Sequence, residues 1–244
     1  MSAGTGSGSA RMAAGGARPE RGGFWTWTGE ARGAAVAFSG RGPAGGRDSR
    51  AEVLARLTGR QRPVAWARQV HSARVLPARP GECGEGDALV CGGDGHGEGL
   101  VLSIVTADCV PVLLAGPAGI AAAHAGWRGI AAGVVGATVA AMAGDPSSFA
   151  AWIGPAIGSC CYETGPDVAD QVAAASHPAV VIPGPAGRPH LDLQQAVRRQ
   201  LQAAGLRQIE VLPLCTRCET PILHSYRRDG KAAGRNHAFI WTAM

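Results

Sequence analysis

Lysine is almost absent: Lys231 is the sole one in 244 residues, and charged side chains make up only 17% of the chain. No long Lys/Arg block occurs. Of the net charge of +5, Arg11, Arg18 and Arg21 against Glu20 supply +2 within residues 1–23, leaving +3 for the rest. Nucleic acid is held by a basic stripe or patch, so no nucleic-acid partner is expected. Long apolar runs are missing too. None approaches the roughly 20 residues that a helix needs to cross a bilayer, so no membrane association is expected. The opening stretch, MSAGTGSGSARMAAGGARPERGG, lacks the apolar core of a secretory signal. The cysteines number seven, an odd count. Together these point to a cytoplasmic, reducing compartment, where thiols act as ligands, nucleophiles or core residues rather than as a disulfide framework.

What the chain does have is small apolar residues. Its hydrophobic share is 46%, enough for the core of one large domain. Residues 1–22 read as a Gly/Ala/Ser-rich disordered tail, and residues 23–244 as the folded domain. AAVAFSGRG (34–42) predicts a strand running into a turn. AEVLARLTG (51–59) predicts a short helix closed by Gly59. PVAWARQVH (63–71) alternates in the manner of a half-buried strand and delivers Gln69 and His71 at its end. LVLSIV and VPVLLA are nearly continuous, as in strands buried on both faces, and GIAAAHAG predicts another strand. WRGIAAGVVGATVAAMAG predicts one Ala-rich helix. Pro166 opens a helix through DVADQVAAA. LDLQQAVRRQLQAAG (191–205) carries Leu193, Val197, Leu201 and Ala204 at helical spacing up to Gly205. PILHSYRRDGKAAGRNHAFIW predicts two strands joined by a polar loop, and GGDGHGEG (92–99) a flexible hairpin loop. Strict βαβ alternation is missing, so the expected class is α+β, a mixed α/β sheet protein.

Two histidines, His71 and His124, stand at the ends of apolar strands, and Cys109 lies in the turn between two more. Two imidazoles and a thiolate suit zinc and leave a fourth position for water or substrate; such a water is acidified near neutral pH. The competing reading is a core histidine and a small buried thiol. Spacing alone favours that reading, because it is informative chiefly when ligands come in close pairs. CTRC places Cys215 and Cys218 as such a pair. No second pair completes a four-cysteine site, so packing is expected there. In SCCYE, Cys160 and Cys161 are adjacent; adjacent side chains of extended chain diverge, so the two are not expected to serve one site. Glu163 reads as a surface residue or an acid/base. Arg227, Arg228 and Arg235 gather around a turn in a way that suits phosphate or carboxylate.

Taken in order, QVHSARV, GDALV, TADCVPVLL, HAGWRG, WIGPAIGSCCYETGPDV, LCTRCE and SYRRDGKAAGR…IW resemble the YfiH/laccase-domain family. Its members are also described as polyphenol oxidase, peptidoglycan-editing factor and purine nucleoside phosphorylase. The resemblance spans residues 34–242 and implies a single domain of layered α/β/β/α architecture with mixed sheets. It implies that a metal is held by His71, Cys109 and His124, with Zn²⁺ as the cofactor and Cu²⁺ able to displace it. It further implies phosphorolysis of adenosine, guanosine, inosine and methylthioadenosine, and deamination of adenosine, with nucleoside and phosphate as partners. For that chemistry Asp87 and Asp108 are candidates for acid/base work beside Cys109. Arg128, Arg228 and Arg235, with Arg41 behind them, are candidates for holding phosphate. The chain departs from the family pattern near its first strand, where FSGRGPAGGRDSR lacks an Asn-Leu-Gly segment, and at Ser72, where the family has glycine.

Three other readings compete. A multicopper laccase needs many histidines, often as His-x-His pairs, and the chain has no His-x-His. A metal-free cysteine hydrolase would use Cys109 as nucleophile, with His124 or His71 as its base. A peptidoglycan-editing hydrolase would use the same site on a different substrate class.

Overall fold

The structure is a computed structural model and describes residues 18–19, 25–42, 49–92 and 99–242. Its first elements are a two-residue strand β1 (Arg18–Pro19), the hairpin β2 (Trp25–Ala31) and β3 (Ala34–Ser39), and helix α1 (Arg50–Thr58). Four short strands follow: β4 (Val64–Arg68), β5 (Val75–Pro77), β6 (Gly81–Glu85) and β7 (Ala88–Gly92). The centre of the chain holds β8 (Val101–Thr106), β9 (Val110–Gly116), β10 (Gly119–Ala125), α2 (Trp127–Ala131), α3 (Val134–Ala141) and β11 (Ala150–Ile153). Then come α4 (Pro166–Ala175), β12 (Val181–Pro183), β13 (Pro189–Leu191), α5 (Leu193–Ala203), β14 (Gln208–Val211), α6 (Tyr226–Asp229) and β15 (Asn236–Thr242).

The strands form two mixed sheets, in the orders β1-β2-β3-β15-β8-β4-β6 and β14-β11-β9-β10-β7-β5, beside the small pair β12-β13. They stack face to face. Trp27, Phe38, Leu102 and Ile104 of the first sheet meet Leu113, Ile120 and Trp152 of the second. The opposite face of the first sheet is covered by Val53 and Leu54 of α1, which pack on Val64, Val101 and Phe239. The opposite face of the second sheet is covered by Val135 and Val139 of α3, Val172 of α4, and Val197 and Leu201 of α5. The layers therefore run α/β/β/α, the architecture implied by the resemblance. Strand β9 is buried at every position, which explains its unbroken apolar run: both of its faces meet protein. Truncating a side chain such as Trp152, fully buried between the sheets, costs about 3–5 kcal/mol.

The predicted strands at 34–42, 63–71 and 101–125 all form. Helix α1 ends at Gly59 in the left-handed region, φ 71°, a conformation glycine takes without strain. Two elements differ from expectation. The Ala-rich helix is broken into α2 and α3 at Gly133, whose φ is 83°; hydrophobic spacing carries no sign of a left-handed residue inside it. The C-terminal segment holds one strand rather than two. Ser225 accepts a hydrogen bond from Arg228 N and caps α6, which turns the chain into a helical turn where a first strand was expected. The expected hairpin loop at 92–99 lies largely outside the described residues, as does most of the expected tail. Within that tail, Arg18–Pro19 pairs with Trp25–Thr26 through the backbone, so described structure begins before residue 23. No helix among the described residues is long and apolar enough to cross a membrane.

Candidate active site

His71, Cys109 and His124 come from three segments that the two sheets bring to one end. His71 follows β4 of the first sheet, with φ 62°. His124 lies near the end of β10 in the second. Cys109 sits in the turn by which the chain passes from β8 in one sheet to β9 in the other, beside Asp108 with φ 99°. Their ligating atoms all lie within 4.8 Å of one another. Cys109 Sγ is 3.9 Å from His71 Nε2, and the two imidazole rings meet edge to face at 4.9 Å. Gly126 makes the approach possible: a Cβ there would stand 2.8 Å from Cys109 Sγ and 3.0 Å from His71 Cδ2.

Asp87, fully buried at the start of the ALV strand, organises the trio. Its Oδ1 accepts from His71 N at 2.9 Å, and its Oδ2 from Ser72 N at 2.6 Å, Ser72 Oγ at 2.8 Å and Val70 N at 3.2 Å. Oδ1 also meets His124 Nδ1 at 2.9 Å. That contact fixes the ring and leaves Nε2 to face the sulfur. Burial opposes ionisation of Asp87, but His124 and the Ser72 donors outweigh it and hold the carboxyl well below its usual range. Burial likewise opposes a thiolate at Cys109, yet contact with His124 and His71 lowers that thiol to about 6. Burial disfavours a charged His124, and the bonds to Asp87 and Cys109 raise it to about 9 all the same. The trio therefore favours a thiolate next to an imidazolium, the charge state of a waiting nucleophile, and a metal bound there would displace the imidazolium proton.

These groups open into a cavity of about 800 Å³. Of the sequence candidates, His71, Cys109, His124, Asp108, Arg128 and Arg235 line it, while Asp87, Arg41 and Arg228 do not. Arg128 lies over the Trp127 ring at 4.4 Å. Asp108 accepts from Thr216 Oγ1 at 2.6 Å and from Arg227 N at 2.7 Å, which ties the Cys109 turn to the C-terminal segment. Arg228 is spent within the protein: it donates to the carbonyls of Thr216, Arg217 and Leu223 and to Asp229. Arg41 donates to Leu223 O and Asp229 on the same side. Sequence reasoning did not place Arg50, Arg68, Tyr162 or Tyr226 in the cavity wall, although all line it, and Arg227, read from the sequence as one of the turn arginines suited to an anion but not among the four named for phosphate, lines it too. Gln69, noted only as the neighbour of His71, clamps the first sheet by donating to Val105 O at 2.8 Å and accepting from Val105 N at 3.0 Å.

A second convergence contradicts the reading of the remaining cysteines. Cys160 and Cys161 do serve one cluster, together with Cys215 and Cys218. They lie in a tight turn in which Gly158 O accepts from both Cys161 N and Tyr162 N, so the divergence of extended chain does not apply. Close pairing was required of sequence neighbours, whereas the fold supplies the second pair from a distant segment.

Residues 41–243 match the family described as multi-copper polyphenol oxidoreductase laccase. Among curated relatives, the purine nucleoside phosphorylase YfiH of Escherichia coli K12 is 39% identical over 181 residues, 72% of either chain. The purine nucleoside phosphorylase SCO2081 of Streptomyces coelicolor is 41% identical over 187 residues, 73% of this chain and 74% of that one. Among solved structures, Neisseria meningitidis protein NMB0706 superposes with a TM-score of 0.77 at 30% identity, covering 90% of this chain and 99% of its own. YlmD of Geobacillus stearothermophilus gives 0.77 at 29%, covering 93% and 99%.

Proposed function

The chain belongs to the multi-copper polyphenol oxidoreductase laccase family, and on that premise we propose that it is a zinc-dependent purine nucleoside phosphorylase that also deaminates adenosine, acting in the cytoplasm. The observation that carries this reading is the meeting, in one cavity, of a His–Cys–His ligand set with Arg128, Arg227 and Arg235. The names of the relatives agree with the phosphorylase part of it across most of the chain. The donors fit zinc: two imidazoles and one thiolate, gathered to within 4.8 Å, with one ring nitrogen of His124 freed by Asp87. A bound zinc ion supplies a Lewis acid and an acidified water.

In phosphorolysis a phosphate oxygen bonds to ribose C1′ as the bond from C1′ to the purine nitrogen breaks, and the electron pair leaves on the base. The chain's share is to gather and aim the anion, for which Arg128, Arg227 and Arg235 stand at the wall. Trp127, Tyr162 and Tyr226 offer aromatic faces to the purine. Asp87 is a positioning residue in this reading, since its oxygens are occupied and it is closed to solvent. Asp108 sets the start of Arg227 through its main-chain bond. His71, Cys109 and His124 would hold the zinc, which would supply the acidified water that deamination of adenosine needs.

The laccase description does not extend, in this reading, to a multicopper centre. One site here is mononuclear in its donors and the other cluster is all sulfur, whereas such centres are rich in histidine. A second reading rests on one observation: a Cys109 thiol lowered to about 6 beside two histidines is also a hydrolase nucleophile. Bound metal, and adenosine incubated with phosphate and followed by chromatography, separate the two. The proposal expects adenine formed only with phosphate, inosine formed without it, and, in Cys109→Ala, loss of both products together with the metal held by His71, Cys109 and His124. Intact nucleosides with metal bound would move the substrate to muropeptides. A protein with no metal at His71, Cys109 and His124, and alkylated at Cys109, would give the hydrolase.

A further inference from the structure

Of the six cysteines that the active-site reading leaves over, four gather together, drawn from segments more than 50 residues apart in sequence. Cys218 Sγ lies 3.7 Å from Cys160 Sγ and 3.4 Å from Cys161 Sγ, and all four sulfurs lie within 4.8 Å of one another. A zinc ion bonded to four thiolates at about 2.3 Å holds its sulfurs about 3.8 Å apart along each edge of the tetrahedron. The separations present are of that size, and far beyond the roughly 2 Å of a disulfide bond. A disulfide also joins only two sulfurs, whereas here four lie within 4.8 Å of one another.

The backbone is shaped for thiolates as well. Gly158 N donates to Cys215 Sγ at 3.2 Å, and the amides of Cys218 and Arg217 also face that sulfur. Amides two and three residues on, turned back to the first sulfur of a Cys-x-x-Cys, form a nest for negative charge. A side chain at 158 would intrude, since a Cβ there stands 3.2 Å from both Cys160 Sγ and Cys215 Cβ.

We propose that Cys160, Cys161, Cys215 and Cys218 form a second metal site, a structural tetrathiolate for zinc that is separate from the cavity. It joins the turn that carries Tyr162 to the segment that carries Thr216. Tyr162 lines the cavity, and Thr216 donates to Asp108 beside Cys109. The site thus braces the active cavity from behind, without touching substrate.

The test separates the two sites by working in Cys109→Ala, so that it does not depend on the proposed activity. Purified under reducing conditions, this variant should carry about one zinc per chain, and adding Cys160→Ser with Cys218→Ser should remove it. Cobalt exchanged into Cys109→Ala should give the strong visible and thiolate charge-transfer bands of a four-sulfur tetrahedral centre. Circular dichroism confirms that the serine variants fold, and Cys218→Ser alone should weaken zinc binding and shift the cobalt bands. The proposal is overturned if zinc in Cys109→Ala persists after both serine changes. It also fails if that protein binds no zinc or cobalt while its fold is intact, or if peptide mapping finds a disulfide between Cys218 and Cys160 or Cys161 under the same conditions.

Discussion

Asp87→Asn is the sharpest probe of the candidate active site, because it changes one atom and leaves the volume unchanged. The carboxylate receives the amides of Val70, His71 and Ser72, the Ser72 hydroxyl and the His124 ring. An asparagine retains one accepting oxygen. If that oxygen faces Ser72, the amide NH₂ faces His71 N–H and donates to His124 Nδ1; the ring proton then moves to Nε2, the atom needed for the metal. If the oxygen faces His124 instead, the NH₂ opposes the amides of Val70 and Ser72. Either way a buried donor is stranded and a buried charge partner is lost, a change that costs about 3–5 kcal/mol. At this chain length that corresponds to roughly 6–20 °C in melting temperature, at about 2–4 °C per kcal/mol. Loss of the orienting bond should also weaken zinc about 10–100-fold. Calorimetry on chelator-stripped protein measures the first effect free of the metal, and a competition titration with a zinc indicator measures the second. A stripped variant that melts within about 2 °C of the parent and binds zinc equally well would refute the role given to Asp87.

Three further outcomes are expected. Gly126→Ala keeps an ordinary backbone conformation, φ −75°, but sets a methyl 2.8 Å from Cys109 Sγ; zinc affinity should fall roughly 10–100-fold with little change in the melting of stripped protein, and unchanged affinity would show that the approach is looser than described. Arg128→Ala should raise KM for phosphate roughly ten-fold or more, the worth of one charge-assisted bond of about 1.5–3 kcal/mol, while Arg228→Ala should instead cost about 2–4 kcal/mol of stability by stranding the carbonyls it holds; the reverse pattern in kinetics and urea midpoints would reassign the two. His237, only 6% exposed, is held down to about 4 by burial first and then by Arg50 and His224. Its folded value lies below its unfolded value near 6.5, so its contribution is complete above that pH and is lost as the pH falls toward 4, by roughly 3 kcal/mol. Urea midpoints across that window should fall, and His237→Asn should flatten the slope; an unchanged slope would assign acid lability elsewhere.

The sheet core was readable in the sequence, because a strand buried on both faces has few other ways to look. LVLSIV and VPVLLA announced β8 and β9, and Gly59 announced a helix end. The site was readable in part. His71, Cys109 and His124 could be picked out as strand-end donors, but spacing could not tell ligands from core residues, and the ligand reading came from the resemblance that the ordered motifs carry. Gly133 was invisible as a helix break because only its left-handed backbone gives it away. Arg228 looked like an anion binder because sequence shows the charge and not the carbonyls that consume it. The four-cysteine cluster was missed because its two halves are joined by tertiary structure alone, and because the turn at 158–162 brings neighbours together that an extended chain would part.

The passage of the chain from one sheet to the other at Cys109 has a mechanical consequence. His71 hangs from the first sheet and His124 from the second, so the separation of their nitrogens measures how the two sheets are aligned. A metal that bridges them prefers one alignment, and by thermodynamic linkage that alignment prefers the metal. Substitutions at Phe38, Leu102 or Trp152, deep in the interface between the sheets, should therefore tune metal affinity from a distance, and removing the metal should loosen hydrogen-exchange protection across that interface before it is lost elsewhere.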